Sequence, residues 1–221
     1  MHIIPHPSPN FGPRLRPLEY IILHYTDHLT LQQTLDALTN PARQVSAHYV
    51  LDYDGTLYQL VDDEMRAWHA GISSWKGITD MNSASIGIEI ENPGHSNGYV
   101  PFTEAQIKAV IELCSVLTKK HGISPRNVIG HSDVAPARKE DPGHLFPWDR
   151  LAAAGFGIWP KKESAVADIK PVDAQKALEM IGYDVSDFDA ALLAFQRHFC
   201  PAEMGKKLTP ATGGWLKALA G

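Results

Sequence analysis

The chain has 221 residues, of which 44% are hydrophobic and 20% are charged, a composition typical of a globular protein with one sizeable core and a smaller module. The formal net charge of −5 provides no general attraction to nucleic acid or anionic lipid, so we expect no nucleic-acid partner. No apolar run approaches the roughly 20 residues that cross a bilayer, and we therefore expect no transmembrane segment.

The first half of the chain combines strand and helix patterns. Residues 19–24 form a β-rich apolar run that predicts a central strand ending on a histidine. Residues 30–38 have leucines at the spacing of one helix face. Residues 47–52 and 56–61 flank an Asp-Gly pair, a strong hairpin signal, so we expect them to pair as antiparallel strands.

Residues 85–91 alternate isoleucine with small or acidic residues, which predicts a strand with one apolar face and one face carrying carboxylates. Glu89 lies on the polar face, where partial burial would raise its pKa and suit it to general base catalysis. The alternative, a solvated strand carboxylate, is the interpretation we prefer for Glu91.

The second half of the chain continues the alternation. Thr103 and Gln106 form a capping-box pattern at the start of a helix that Gly122 ends. Residues 128–131 predict a short strand that ends on a second histidine. We therefore predict an α/β fold with a central mixed β-sheet flanked by helices.

A polar stretch at residues 161–164 separates this region from a shorter tail. Helical patterns at residues 173–181, 187–199 and 209–219 predict a small bundle. We expect an α/β domain of residues 1–160, followed by a small all-α three-helix domain of residues 161–221 that the first domain steadies.

Two histidines and one carboxylate are candidate metal ligands. His24 and His131 each end an apolar strand, the place where α/β sheets present functional groups at a cleft, although a lone histidine is more often a surface or core residue. Asp141 lies in a Pro-Gly turn, which its side chain could simply stabilise. Together they would form a three-ligand zinc site with a fourth position for water, an arrangement typical of catalysis.

Lys139 precedes Asp141 by two residues, so both side chains could reach one cleft. An ammonium group there would stabilise an oxyanion. The alternative is an exposed lysine in a charged run.

Six strings occur in an order that resembles the AmpD/AmiD-type N-acetylmuramyl-L-alanine amidases, relatives of phage T7-type lysozymes and peptidoglycan recognition proteins. The resemblance covers about residues 8–160. The strings are ILHYT at 22–26, QVSAHY at 44–49, AWHAG at 67–71, SIGIEIEN at 85–92, GHSDVAP at 130–136 and RKEDPGHLFPW at 138–148.

The resemblance implies hydrolysis of the amide bond between the lactyl group of N-acetylmuramic acid and L-alanine, with peptidoglycan or muropeptides as substrate. It implies that His24, His131 and Asp141 bind Zn²⁺, that Glu89 activates the attacking water, and that Lys139 steadies the tetrahedral intermediate.

Two further histidines, His48 and His69, line the substrate groove according to the resemblance, although either could equally be a hydrogen-bonded structural residue. One departure concerns Ala47, because phage-type relatives have a tyrosine at this position. Those relatives also lack the carboxylate that matches Glu89, so the chain groups with the enzymes that use a glutamate.

The tail is similar to the three-helix peptidoglycan-binding modules of cell-wall enzymes, with a purely structural role as the alternative. A competing hypothesis for the whole chain is a recognition protein that binds muropeptides without cutting them. The presence of Asp141, Glu89 and Lys139 favours the enzyme.

Three properties stay open at this point. Wall-binding helices favour the polymer as substrate, whereas the first ten residues lack the features of a secretory signal, which favours cytoplasmic recycling unless a leader has been removed. The compartment and the oligomeric state are therefore unassigned.

The two cysteines, Cys114 and Cys200, show no metal-type spacing, and we expect them to be ordinary residues.

Overall fold

The computed structural model describes residues 2–160 and 166–220. The polar stretch at 161–164, and with it the predicted domain boundary between residues 160 and 161, lies outside the described residues. In the described part of the chain, eight strands form two sheets. The strands are β1 Ile3–Pro5, β2 Phe11–Pro13, β3 Tyr20–Tyr25, β4 Tyr49–Leu51, β5 Leu57–Gln59, β6 Met65–Ala67, β7 Ser85–Ile90 and β8 Val128–Gly130.

The larger sheet has six strands in the order β1-β5-β4-β7-β3-β8, and β2 pairs with β6 in a separate two-stranded sheet. Strand β3 lies parallel to β7 and β8, whereas the predicted hairpin of β4 and β5 is antiparallel. The sheet is therefore mixed, as predicted. Because its parallel strands have their carboxyl ends at one edge, this edge gathers the residues that follow β3, β7 and β8.

Helices cover the sheet and form the tail. Short 3₁₀ helices lie at Pro41–Arg43, Pro125–Asn127 and Pro201–Glu203. The α-helices of the described residues are α1 Leu31–Thr39, α2 Met81–Ala84, α3 Gly94–Asn97, α4 Glu104–His121, α5 His131–Val134, α6 Trp148–Ala153, α7 Pro171–Ile181, α8 Phe188–Phe199 and α9 Pro210–Ala220. No helix among them is both long and apolar enough to span a bilayer.

Helix α4 begins where the capping pattern predicts. The Thr103 hydroxyl accepts the Gln106 backbone N–H at 3.1 Å, and the Gln106 side chain accepts the Thr103 N–H at 2.9 Å. The helix ends at Gly122, whose φ of 67° favours glycine. Its apolar stripe packs on one face of the sheet, against residues such as Ile21 and Ile86.

The tail helices lie close to the positions that their apolar spacing predicts, and they pack on the other face of the sheet. One hydrophobic cluster joins Ile22 and Ile129 of the sheet with Leu178, Phe195 and Leu216 of the tail. The tail therefore shares a core with the α/β region, which stabilises a bundle too small to bury much surface alone.

The prediction for Glu91 is wrong. We predicted a solvated strand carboxylate, but Glu91 directly follows β7 and is 0% exposed. The alternating pattern suggested a half-exposed strand, whereas β7 lies between two neighbours and is covered on both faces, as central strands of α/β sheets are.

Candidate active site

The sheet brings four predicted residues to one edge. His24 is near the end of β3 and lies opposite Glu89 in the register between β3 and β7. His131 follows β8, the neighbour of β3 on its other side, and is the first residue of α5. Asp141 approaches on a loop whose backbone carbonyl accepts the Ser132 N–H at 2.8 Å.

Three of these side chains point their donor atoms at one place. His24 Nδ1 lies 2.9 Å from His131 Nδ1 and 3.0 Å from Asp141 Oδ2, and His131 Nδ1 lies 2.9 Å from the same Asp141 oxygen. All three residues are buried, and they form a possible metal site among the described residues. The predicted ligands thus converge.

The hydrogen-bond partner of His131 fixes its tautomer. Its Nε2 lies 3.1 Å from the Ala70 carbonyl oxygen, which can only accept, so the proton of a neutral ring is on Nε2. The Nδ1 lone pair of His131 is therefore free and points at the cluster.

A second chain of hydrogen bonds fixes His24. The Ser85 hydroxyl donates to the Met81 carbonyl, so it accepts from His69 Nε2 at 3.4 Å. His69 Nδ1 must then accept, and it lies 3.0 Å from His24 Nε2. The proton of His24 is on Nε2, and its Nδ1 lone pair also points at the cluster.

Two imidazole lone pairs and a carboxylate oxygen would repel one another at 2.9 to 3.0 Å without a positive charge between them. Ligand atoms 2.0–2.2 Å from a tetrahedral ion are roughly 3.3 Å apart, close to the separations here. The donor set therefore fits a metal ion.

Electrostatics favours the protonation states that bind a metal. Burial and the neighbouring His131 lower the pKa of His24 to about 4, so its ring is neutral at pH 7. Burial alone would raise the pKa of Asp141, but proton donation and charge from the His131 and His24 rings lower it. A metal cation between neutral rings would favour the same ionised carboxylate.

Glu89 lies beside the cluster, with Oε1 4.0 Å from His24 Nδ1 and its side chain 14% exposed. Its other oxygen, Oε2, is buried without a hydrogen-bond partner. Burial, together with the charge of Asp141, raises the pKa of Glu89 well above its ordinary value, while Lys139 opposes this rise. The geometry provides a carboxylate with one oxygen free to accept a proton.

Lys139 is half-buried in the loop between His131 and Asp141, where its backbone N–H donates to the Ala135 carbonyl at 2.9 Å. Its charge lowers the pKa values of both Glu89 and His24, so the ammonium group acts on the same site. A position of the ammonium group in the cleft stays a prediction.

His48 lies deep in the fold. It is 0% exposed, its Nδ1 accepts the Gly87 N–H at 3.0 Å, and its Nε2 lies 3.1 Å from the Met65 carbonyl. Burial and the nearby Arg14 lower the pKa of His48 to about 3. This placement favours the structural alternative that the sequence left open.

His69 contacts His24 directly, and its own pKa is well below the ordinary value because of burial and the neighbouring His24 and His48. The ring has room because residue 87 is glycine, where a Cβ would lie 2.4 Å from the His69 ring. Sequence reasoning linked His69 to the groove and missed its contact with His24.

Sequence reasoning also missed the residues that hold the rim. The Tyr99 hydroxyl donates to the Pro142 carbonyl at 2.7 Å and accepts the Leu145 N–H at 3.0 Å, which secures the loop after Asp141. His95 stacks on Tyr99 with ring centroids 4.5 Å apart and lies 2.8 Å from the Tyr25 hydroxyl. Tyr99 and His95 come from a segment without a periodic pattern, so no sequence signal singled them out.

Comparison with known proteins identifies the family of the chain. Residues 14–144 match the family model described as N-acetylmuramoyl-L-alanine amidase. The amidase AmiD of Escherichia coli K12 is 39% identical over 211 residues, which cover 83% of this chain and 75% of AmiD. The 1,6-anhydro-N-acetylmuramyl-L-alanine amidase AmpD of Haemophilus influenzae is 34% identical over 168 residues, with 66% of this chain and 89% of AmpD covered.

Two solved structures are similar over nearly the whole chain. The complex of E. coli AmiD with the substrate anhydro-N-acetylmuramic acid-L-Ala-D-gamma-Glu-L-Lys has a TM-score of 0.82 at 34% identity, covering 94% of this chain and 89% of AmiD. AmpDh3 of Pseudomonas aeruginosa with anhydromuramic pentapeptide has a TM-score of 0.82 at 31% identity, covering 96% and 93%. The chain therefore belongs to the N-acetylmuramoyl-L-alanine amidase family.

Proposed function

We propose that this chain is a zinc-dependent amidase that hydrolyses the amide bond between the lactyl group of N-acetylmuramic acid, or its anhydro form, and L-alanine of the stem peptide. The observation that carries the proposal is the convergence of two imidazole nitrogens and one carboxylate oxygen beside Glu89, whose Oε2 has no hydrogen-bond partner. Family membership, and the muropeptide complexes of AmiD and AmpDh3, support the choice of substrate.

Zinc is the metal that suits the donor set best. Two neutral imidazoles and one carboxylate form a three-ligand set that leaves a fourth position open, and imidazole suits zinc better than it suits magnesium or calcium. A zinc ion held by His24, His131 and Asp141 would lower the pKa of water to roughly 7 and polarise the lactyl carbonyl.

Glu89 acts as the general base in this proposal. Its carboxylate takes a proton from the water that attacks the lactyl carbonyl carbon, and Oε2 has no hydrogen bond that would compete for this proton. The raised pKa of Glu89 makes it a stronger base than an exposed glutamate. The protonated carboxyl group then donates to the alanine nitrogen as the C–N bond breaks, so the amine leaves uncharged.

Lys139 stabilises the negative charge that develops on the carbonyl oxygen. It is half-buried and its charge acts on Glu89 and His24, so a short movement of a flexible side chain would bring the ammonium group to the substrate. Preorganised donors of this kind contribute strongly in a cleft that excludes water.

The groove role of His48 and His69 stays a prediction. His69 keeps 9% exposure and could contact a substrate at its edge, whereas His48 is 0% exposed and would first have to lose its present partners. We likewise propose that residues 1–160 carry the chemistry and that residues 161–221 bind peptidoglycan. Both regions contribute to one hydrophobic core.

The proposal is tested by incubating the purified protein with anhydro-N-acetylmuramic acid tripeptide and, separately, with intact sacculi, and identifying the products by mass spectrometry. We expect release of peptides that begin with L-alanine, loss of release after chelation, and recovery on addition of zinc. The Asp141→Ala variant should not release peptide. Binding without release by the zinc-loaded wild type would instead support a recognition protein, and undiminished release without metal would contradict zinc dependence.

A further inference from the structure

Asp133 connects the metal site to the tail. It lies two residues after His131 and is 1% exposed. Its Oδ2 accepts the Gly130 backbone N–H at 2.7 Å, so the side chain closes the turn from which His131 extends. A carboxylate that closes a turn in this way fixes the backbone direction of the residues inside it.

Two residues of the tail complete the hydrogen bonding of this carboxylate. The Tyr183 hydroxyl donates to Asp133 Oδ1 at 2.6 Å, and His198 Nδ1 donates to Asp133 Oδ2 at 2.8 Å. Tyr183 follows α7, His198 lies on α8, and each is 3% exposed. We name these three residues, Asp133, Tyr183 and His198, the Asp133 clamp.

The clamp is packed against the segment that carries Asp141. Trp148, which begins α6 shortly after Asp141, stacks on His198 with ring centroids 3.8 Å apart. A Cβ at Gly130 would lie 2.9 Å from Pro142 and 3.2 Å from Trp148, so the turn has little free space on this side. The proposed ligands His131 and Asp141 therefore lie on segments that pack tightly against the same residues.

We propose that Tyr183 and His198 are positioning residues for the metal site, which fix the orientation of His131 through Asp133. This inference rests on the proposed metal site and adds that the tail helices take part in building it. Residues that support metal ligands commonly change metal affinity 10-fold to 100-fold when they are replaced. Removal of the Tyr183 hydroxyl would leave Oδ1 of a buried carboxylate unpaired, and removal of the His198 donor would leave Oδ2 with the Gly130 N–H alone. Either loss favours a rearranged turn.

The experiment measures zinc affinity of the full-length protein by competition with a chelator, at a temperature where circular dichroism shows every variant to be folded. The test variants are Tyr183→Phe, which removes only the hydroxyl, and His198→Phe, which keeps a ring against Trp148 but removes the donor. The matched control is Tyr49→Phe, because Tyr49 also donates to a buried aspartate, Asp63, at 2.6 Å, and belongs to the hydrophobic cluster on the α4 side of the sheet rather than to the cluster of the tail helices.

We expect Tyr183→Phe and His198→Phe each to weaken zinc binding about 10-fold, whereas Tyr49→Phe changes it less than twofold even where its thermal midpoint falls equally. His198→Asn, which restores an N–H donor near the position of Nδ1, should recover part of the affinity. Zinc affinity within twofold of wild type for both test variants, or an equal loss in Tyr49→Phe, would overturn the inference.

A separate variant distinguishes failure of this inference from failure of the proposed function. If His131→Ala binds zinc as wild type does, the metal site itself is wrong. If His131→Ala loses zinc while both clamp variants keep it, only the positioning role is wrong.

Discussion

Replacement of Glu91 by glutamine should stabilise the protein against unfolding, and this gain over wild type should be larger at high pH than at low pH. Glu91 is 0% exposed, and neither of its carboxylate oxygens has a well-formed hydrogen bond. Burial raises its pKa from 4.5 to about 7, and the Thr34 hydroxyl offsets only part of this rise. The folded protein therefore holds a proton on Glu91 that the unfolded chain releases above pH 4.5.

The magnitude follows from that difference. A rise from 4.5 to about 7 corresponds to about 3.4 kcal/mol at 1.36 kcal/mol for each pKa unit, and relaxation around the ionised group lowers this to about 2 kcal/mol. Because the folded-state pKa is the higher one, this stability is fully present below pH 4.5 and is lost as the pH rises through about 7. Glutamine has nearly the same shape and cannot ionise, so Glu91→Gln escapes this loss.

The assay is urea unfolding of wild type and Glu91→Gln at pH 5 and pH 9, in a chelator so that zinc binding does not contribute. We expect the difference in the free energy of unfolding between Glu91→Gln and wild type to be about 2 kcal/mol larger, in favour of the variant, at pH 9 than at pH 5. Glu179→Gln, at an exposed helix position, should show no such gain. A difference between Glu91→Gln and wild type that stays within about 0.5 kcal/mol across this range would refute the reasoning.

Three further substitutions test the site. Glu89→Gln should bind zinc as tightly as wild type but reduce kcat by about 10²-fold to 10⁴-fold, which metal analysis and single-turnover assays would check. Lys139→Ala should reduce kcat by about 10²-fold with a small change in KM, and an effect confined to KM would assign Lys139 to substrate binding. Gly87→Ala places a Cβ 2.4 Å from the His69 ring, so it should displace His69 from His24. We expect zinc binding to weaken at least about 10-fold in a chelator competition. Unchanged zinc affinity would contradict the support of His24 by His69.

The sequence predicts the proposed ligands because their positions follow local rules. His24 lies near the end of β3 and His131 directly follows β8, and parallel strands bring such ends together at one edge of a sheet. The turn at Asp141 and the family motifs around it complete the set. What local rules do not provide is the strand order, which depends on contacts between segments far apart in the chain.

The errors and omissions have the same origin. The alternation at residues 85–91 indicates a strand but does not show that both of its faces are covered, so it predicts a solvated Glu91, whereas this side chain is buried. The partners of His48 come from distant segments, as the bond to Gly87 illustrates. Apolar spacing predicts the three tail helices, but neither Tyr183 nor His198 stands out in a helical pattern as a partner of Asp133.

The most direct test of the central claim is metal analysis of the purified wild type and of three single variants, His24→Ala, His131→Ala and Asp141→Ala, after equilibrium dialysis against zinc. We predict one zinc ion per chain for the wild type and less than about one tenth of that occupancy for each variant at the same free zinc concentration. Full zinc occupancy in any of the three variants, with the fold intact by circular dichroism, would show that these side chains do not jointly hold the metal.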